Sequence, residues 1–527
     1  MKILNKWGFA LLGSLVLGTM MPSLAGAVSL AIATTPSNGV AGVSNVNVNG
    51  SGFPTGTILP AAVNIHLAAS CGAAILANTS ALSVTTIIGS TRRVQFQIPG
   101  ALATGTYYVS LDGATTAAVP FSSGSSCSAI QVTHTNSTLS ACVPGSSLGI
   151  NAPIGSGPVT AIVPRGYWSS STTDIRMVAL EGAGVNTSIP TTSVVNSCAA
   201  NQATGQSVCV ANDTKVYLID SAGTLTDTLN SGSTGATGFS GGSCQNCGVA
   251  MNSLTNQVAI NMGLAGSPSG SGIQILDLNT KTFQTPKPLQ FQVAENISID
   301  PTRGYILTPS ESNRYNLVQF NSANGVLGTE FNFNPPGSSG EFDSAAEDCT
   351  TGIALTAEEF TSNVFIADLT QATFVPGSPG TWSAPSTHVT LPGASFSAGT
   401  SGITVAPGSS HLAVVTGEFG GSAFAVLQLP STSGSGTPTI SDFAYVSGIC
   451  NLSAGFDPHT ISAYTSGNDG KAYGVMVGYT SGAPTSLAVL DLAAIMAAPR
   501  NAGTNTVAGG QICNTTTPNL VRFVPVP

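Results

Sequence analysis

A unit of two short apolar strands around an Asp/Asn, Thr and Gly turn, followed by a third strand of the "ILDL" type, recurs along this chain. Asp300-Pro301-Thr302-Arg303-Gly304-Tyr305-Ile306-Leu307 is echoed by Asp348-Cys349-Thr350-Thr351-Gly352-Ile353-Ala354-Leu355, with 48 residues between Gly304 and Gly352. A period of that length marks a repeat architecture, in which no unit buries its apolar surface alone and stacking supplies the core. The third strand can be traced seven times, at Ile175–Leu180, Val216–Asp220, Ile273–Leu278, Asn316–Phe320, Val364–Leu369, Phe424–Leu429 and Leu487–Leu492. Inner hairpin turns precede six of them, near Gly205, Asn256, Gly304, Gly352, Ser409 and Gly470. The first copy lacks a clean hairpin, and Leu520–Val524 at the C-terminus is expected to lend it a strand and so close a circle. The pattern predicts an all-β chain with a β-propeller of seven blades, alternatively six, over residues 159–527.

Composition agrees with strands and tight turns. Only 7% of the 527 residues are charged, 42% are hydrophobic and 61 are glycine, a mixture too apolar for a disordered chain. A net charge of -9 with 14 Lys and Arg provides no basic stripe to neutralise phosphates, which argues against nucleic acid. Residues 1–27 carry two lysines, an apolar run from Trp7 to Met21 and the ending Ala25-Gly26-Ala27, the pattern of a secretory signal peptide cut after Ala27. Glycines and Pro22 break the run, which disfavours a permanent anchor. The mature chain is therefore expected outside the cytoplasm: secreted, periplasmic or at the cell surface, with no later membrane-spanning stretch.

Export makes the ten cysteines disulfide candidates. Cys198 and Cys209 flank the turn at Gly205, Cys127 and Cys142 bracket residues 123–158, and Cys450 with Cys513 would tie late segments. Cys244-Gln245-Asn246-Cys247 is read as a small structural loop, because no second pair or neighbouring His completes a zinc set.

Residues 28–122 show alternating segments at Val43–Val48, Val63–Leu67, Val94–Ile98 and Tyr107–Leu111, as in a small antiparallel sandwich. The Ser/Gly/Asn-rich residues 123–158 read as a linker. Gly50-Ser51-Gly52-Phe53 and Ile98-Pro99-Gly100 through Gly105-Thr106-Tyr107-Tyr108-Val109 resemble signatures of the immunoglobulin-like IPT/TIG family. That resemblance implies a stalk or binding sandwich before the propeller. The repeat region is similar, in length and in its "strand, D-P-x-x-G, strand, xVxDL" rhythm, to YVTN-type, lactonase-like propellers. Propellers host enzymes, ligand binders and scaffolds alike, so this similarity does not select an activity.

Aligning the repeats on their turns makes Glu295 equivalent to Asp343, with Asn196 and Cys247 at the matching place in earlier units and Asp457-Pro458-His459 near it in the last. Eleven of the 23 acids fall between Glu295 and Asp368, among them Glu341, Asp343, Glu347, Asp348, Glu358 and Glu359. Crowded carboxylates repel unless solvated, protonated or bridged by a cation. Two readings follow: a divalent-cation site, such as calcium, using Glu295, Asp343, Asp457 and His459, or solvated loop acids that keep a Gly/Ser-rich surface soluble, the favoured reading. No calcium-hand loop, phosphate-cradling motif or strand-to-helix nucleophile elbow is present. His459 could serve as ligand or base with Asp457 orienting it, but a turn histidine bonded to backbone is the simpler expectation. His66, His134, His388 and His411 are assigned no role. Three functions remain: a binding protein for an unidentified ligand, extracellular protein or polysaccharide, which is preferred; a metal-assisted hydrolase or lactonase; and a structural cell-envelope or filament subunit.

Overall fold

The computed structural model describes residues 28–527 except 36–37, 41–43, 74, 100–104, 134–147, 154–156, 167–171, 203, 214, 231–247, 254, 264–267, 269, 293–295, 302, 322–324, 393–395, 397–398, 419–420, 435, 453–460, 481–482 and 518. The proposed signal peptide at 1–27 and Cys142, Cys244, Cys247, Glu295, Asp457 and His459 thus lie outside the described residues. The described chain is all-β apart from 3-10 turns and one α-helix, Leu492–Ala497, which Asp491 caps by accepting from the Ala494 N–H at 2.9 Å. It divides into two compact units, the first comprising 1–38, 45–99 and 106–131 and the second the remainder.

In the first unit, one sheet orders Ala31–Thr35, Asn45–Ser51, Thr91–Gln97 and Ser83–Ile88, and the other contains Val63–Ala68, Ile75–Ser80, Gly105–Ala114, Pro120–Ser122 and Ser128–Thr133. Alternate residues point inward: Val46 and Val48, Val63, Ile65 and Leu67, Val94 and Phe96, and Val109 and Leu111 are buried. The Gly-Ser-Gly-Phe turn has a packing reason. A Cβ at Gly50 would lie 2.8 Å from the Phe53 ring, Gly52 has φ +90°, and Phe53 meets Phe121 edge-on at 5.3 Å.

The second unit contains seven successive sheets among the described residues, antiparallel except where Gly380–Ser383 joins the fourth parallel to Leu327–Asn332. Their first strands are Gly149–Asn151, Val195–Ala200, Val249–Asn252, Ser298–Asp300, Phe342–Asp348, Thr400–Val405 and Ile461–Thr465. Their third strands are Asp174–Glu181, Lys215–Ile219, Ser271–Asp277, Arg314–Phe320, Asn363–Asp368, Phe424–Gln428 and Ala483–Asp491, where the repeat places them. Each sheet buries both faces, which is why its strands read as continuous apolar runs rather than alternating ones. In Ile353–Glu358, Ala354 joins the core shared with the fourth sheet and Leu355 the core shared with the sixth. The seventh sheet packs on the first: Tyr464, Val475 and Val489 share a core with Ile150, Val163 and Val178.

Three expectations change. The stretch 123–158 is not a plain linker, since it contains the strand Ser128–Thr133 of the first unit and the strand Gly149–Asn151 that opens the first sheet. Brief apolar steps inside a Ser/Gly-rich segment are too short to register as strands. The C-terminal strand Val521–Pro525 pairs with Ala483–Asp491 and completes the seventh sheet, not the first, because the third strand there runs into a helix and its outer neighbour arrives late. Cys127 pairs with Cys71 rather than Cys142, at a Cα separation of 5.9 Å; a partner 56 residues upstream leaves no local signal. Cys198–Cys209 and Cys450–Cys513 pair as read, and Cys198 sits directly opposite Cys209 in the ladder.

The seam between the seventh and first sheets is closed by one carboxylate. Glu181 accepts from the Tyr464 hydroxyl at 2.8 Å, the Ser466 hydroxyl at 2.6 Å and the Asn468 amide at 2.7 Å, while the Arg522 guanidinium donates to Leu180 C=O at 2.6 Å. Glu181→Ala strands three donors, each costing about 1 kcal/mol or more if left unpaired. The expected outcome is a loss of roughly 2–4 kcal/mol in denaturant unfolding, with Glu181→Gln clearly milder. Non-reducing peptide mapping is expected to recover a Cys71–Cys127 link, and a Cys127–Cys142 link would refute that pairing.

Candidate functional site

Each sheet of the second unit has two ends: the end where its first strand begins, and the end where a turn joins its first and second strands. Residues five apart on a strand are separated by about 16 Å. Asp343 and Asp348 stand at opposite ends of Phe342–Asp348, so the acids grouped by sequence density do not form one cluster. Glu341, Asp343, Glu358 and Glu359 lie at the strand-start end, where Phe342 is in register with Glu358; Glu347 and Asp348 lie at the turn end. Of the four residues expected to hold a cation, Asp343 alone is among the described residues.

The turn end shows what the repeat motif is for. Asn256, Gly304, Gly352 and His411 adopt left-handed backbone, with φ of 58°, 78°, 80° and 51°. The carbonyl of each accepts from the last residue of its third strand or the one just after it: Leu278, Phe320, Leu369 and Leu429, at 2.8–3.0 Å. The aspartates of the motif hold the turn itself, the Asp300 carboxylate accepting from the Arg303 N–H at 2.8 Å and that of Asp348 from the Thr350 N–H at 3.0 Å.

The same turns reach across to the next sheet. Asn151 donates to Gly205 C=O at 3.4 Å, Asn201 to the Asn256 amide oxygen at 2.8 Å, Arg303 to Glu347 at 3.2 Å, and Thr465 to Pro407 C=O. His411 Nδ1 lies 2.6 Å from Asp348 Oδ2, and Asn468 exchanges two hydrogen bonds with the Gly157 backbone at 2.8 and 2.9 Å. These contacts latch six neighbouring pairs of sheets, the seventh-to-first pair included.

Asp300, Glu347 and Cys349 bring potential ligand atoms within 4.8 Å of one another. Their chemistry does not suit a metal. Cys349 is disulfide-bonded, and the Arg303 guanidinium stands 3.1 Å from Asp300 and 3.2 Å from Glu347, supplying the positive charge itself. Burial, reinforced by Asp300, pushes the Glu347 carboxyl well above its usual range, against the pull of Arg303. Burial opposes the charge of Arg303, but Asp300 and Glu347 outweigh it and keep the guanidinium protonated. A Cβ at Gly352 would lie 2.5 Å from the Arg303 guanidinium, so this glycine serves a close approach as well as a turn.

At the strand-start end Glu358 is fully engaged. It accepts from the Ser339 and Gly340 N–H groups at 2.7 and 2.8 Å, from the Asn363 amide at 2.9 Å and from the Thr361 hydroxyl. Burial opposes its charge, yet these donors hold its pKa below the ordinary carboxylate value. Asn296 and Ser344 bridge the first strands of the fourth and fifth sheets, Asn296 N–H donating to Asp343 C=O at 3.3 Å and Ala345 N–H to Asn296 C=O at 3.1 Å. Close by in the repeat, Asn196 and Asn316 are 2% and 0% exposed, and among the described residues neither the amide nitrogen nor the amide oxygen of either has a hydrogen-bond partner; the Ser298 hydroxyl likewise has none there. Buried amides in native proteins are almost always met by protein, water or ligand.

An open cleft of ≈ 640 Å³ at the seam is lined by Glu181, Asn468, Asp469, Tyr473 and Arg522. Its acids are already occupied, Glu181 by three donors and Asp469 by the Tyr473 hydroxyl at 2.6 Å, so its walls hold the seam. Sequence reasoning missed Arg303, His411 and Glu181. The signal available for His411 was its place at the left-handed turn position of the sixth repeat; Glu181 offered none, since its partners lie more than 280 residues away. No family model matches the sequence, and no curated protein matches it.

Two measurements test these assignments. Glu358→Ala leaves four donors without an acceptor and is expected to cost roughly 3–5 kcal/mol in chemical denaturation, with Glu358→Gln retaining part of the bonding. For His411, the bond to Asp348 raises the pKa while partial burial lowers it, with a net rise. A raised folded-state pKa gives stability that is complete below the unfolded value of about 6.5 and is lost as pH climbs through the folded value. The stability gap between the wild type and His411→Gln is therefore expected to be larger at pH 6 than at pH 9, and a pH-independent gap would remove the charged pair from the account.

Proposed function

We propose that the second unit is a seven-bladed β-propeller, each of the seven sheets forming a blade, and that the chain is an exported binding protein that recognises an extracellular protein or polysaccharide at its strand-start end. Support for the propeller comes from the unbroken succession of sheets, each packed on the next, with the seventh packed on the first through a common core. Support for export comes from the disulfides Cys71–Cys127, Cys198–Cys209 and Cys450–Cys513, which persist in oxidising compartments.

The observation that carries the recognition reading is the pair of buried amides at the strand-start end, Asn196 and Asn316. At the turn end Asp300, Glu347 and Asp348 are tied to Arg303 and His411 and act as struts. At the strand-start end, buried amides of Asn196 and Asn316 have both polar atoms unpaired by protein. Propeller-like folds carry many functions, so the reading rests on these amides and not on fold analogy. The alternative, a metal-assisted hydrolase at the same end, would draw on Asp343 with Glu295, Asp457 and His459 around a divalent cation such as calcium.

Purified mature protein tests both readings. Binding to a glycan or extracellular-protein panel, weakened at least about tenfold in Asn196→Ala with little change in melting temperature, is the expected result; an unpaired buried amide group is worth a comparable 1–3 kcal/mol. Stoichiometric metal, a melting temperature that falls with chelator and hydrolysis on a lactone panel would instead establish the hydrolase.

A further inference from the structure

Two consecutive strands of the first unit, Ile75–Ser80 and Ser83–Ile88, lack the inward face that the other long strands of that unit possess. No residue of either is buried. Each is an edge among the described residues, Ile75–Ser80 pairing with Val63–Ala68 alone and Ser83–Ile88 with Thr91–Gln97 alone. Only Ala81 and Leu82 separate them, so both edges occupy the same side of the unit.

Their chemistry is opposite to that of a protected edge. Ile75, Leu76, Leu82, Ile87 and Ile88 are 54%, 59%, 54%, 49% and 75% exposed. From Gly72 to Thr91 there is no charged residue and no proline, the two devices by which solvent-facing edges are usually guarded. Each ladder has one irregularity, and both lie at strand ends: opposite Ile75, between Leu67 and Ala68, and beside Gly89, between Thr86 and Ile88. Free backbone N–H and C=O groups on an apolar, β-branched strand are satisfied best by another strand.

We propose that this edge is a self-association surface, at which a second copy of the chain adds its own Ser83–Ile88 edge antiparallel about a two-fold axis. The occupant follows from charge and size. A two-fold places a strand against itself, which is unfavourable wherever a charge would meet its own copy; here every register between Gly72 and Thr91 is free of that repulsion. The chain carries -9 overall, so a foreign partner would ordinarily be selected by basic groups meeting acids, and this edge offers no acid to meet. Two six-residue edges with five half-exposed aliphatic side chains supply a small contact, of the size found in weak and transient interfaces.

The proposal is independent of the recognition reading, because it uses none of the residues of the second unit. Sedimentation velocity of the full mature protein across about 1 to 100 µM is expected to show a monomer–dimer equilibrium, a range matched to interfaces of this size. Hydrogen exchange in residues 75–88 is expected to slow as the dimer forms. Leu76→Lys combined with Ile88→Lys, both at exposed positions, is expected to weaken association at least about tenfold, equivalent to about 1.4 kcal/mol, while leaving the melting temperature of the monomer unchanged. A wild type that stays monomeric throughout overturns the proposal, whatever foreign strand it then captures. So does a dimer that persists in the double lysine variant or forms without protection of 75–88.

Discussion

Burial of both faces of every sheet is the constraint on which the second unit depends. A four-stranded sheet with apolar residues on both sides is not stable in water by itself, since either uncovered face would expose a core's worth of hydrocarbon. Each sheet therefore needs a neighbour before and after it, and the first and last need one another. Hydrophobic contact is non-directional, so it supplies the drive for stacking without fixing how neighbouring sheets are aligned. Alignment is the contribution of the polar latches at the turn end, where Asn201 meets Asn256, Arg303 meets Glu347 and Asp348 meets His411.

Those latches explain a charge-poor chain with a local excess of acids. Asp300 and Glu347 share one guanidinium, and burial disfavours the charge of Glu347, so the net charge set into that end is small. Asp348 does two tasks at once, holding its own turn through Thr350 and reaching the imidazole of the next sheet. At the other end Glu358 ties Ser339 and Gly340 to Asn363, fixing the loop that enters the fifth sheet. The acids seen as a single dense patch in the sequence are thus structural parts distributed over the length of a strand. Among the described residues, the buried amides of Asn196 and Asn316 are not used by the fold in this way.

The first unit solves a different problem. Its two sheets bury alternate residues, and Phe53 with Phe121 fills the space that Gly50 opens. The uncharged edge strands at Ile75–Ile88 are the exception, exposing aliphatic side chains on strands that the rest of the unit does not cover.

The sequence alone settled what depends on neighbours in the chain. Third strands, hairpin turns at Gly205, Asn256, Gly304, Gly352 and Gly470, and the Cys198–Cys209 pair are all local, because a strand's apolar run, a turn's left-handed residue and a cross-hairpin disulfide are written within about a dozen positions. Tertiary structure alone decided whatever joins distant positions. Asp343 and Asp348 are close in sequence yet an extended strand carries them apart, while Glu181 and Ser466 are 285 positions apart yet share a hydrogen bond. The owner of the C-terminal strand, the partner of Cys127 and the role of His411 belong to the same class. Each is fixed by which sheet packs beside which, and burial drives that choice without leaving a mark on any one segment.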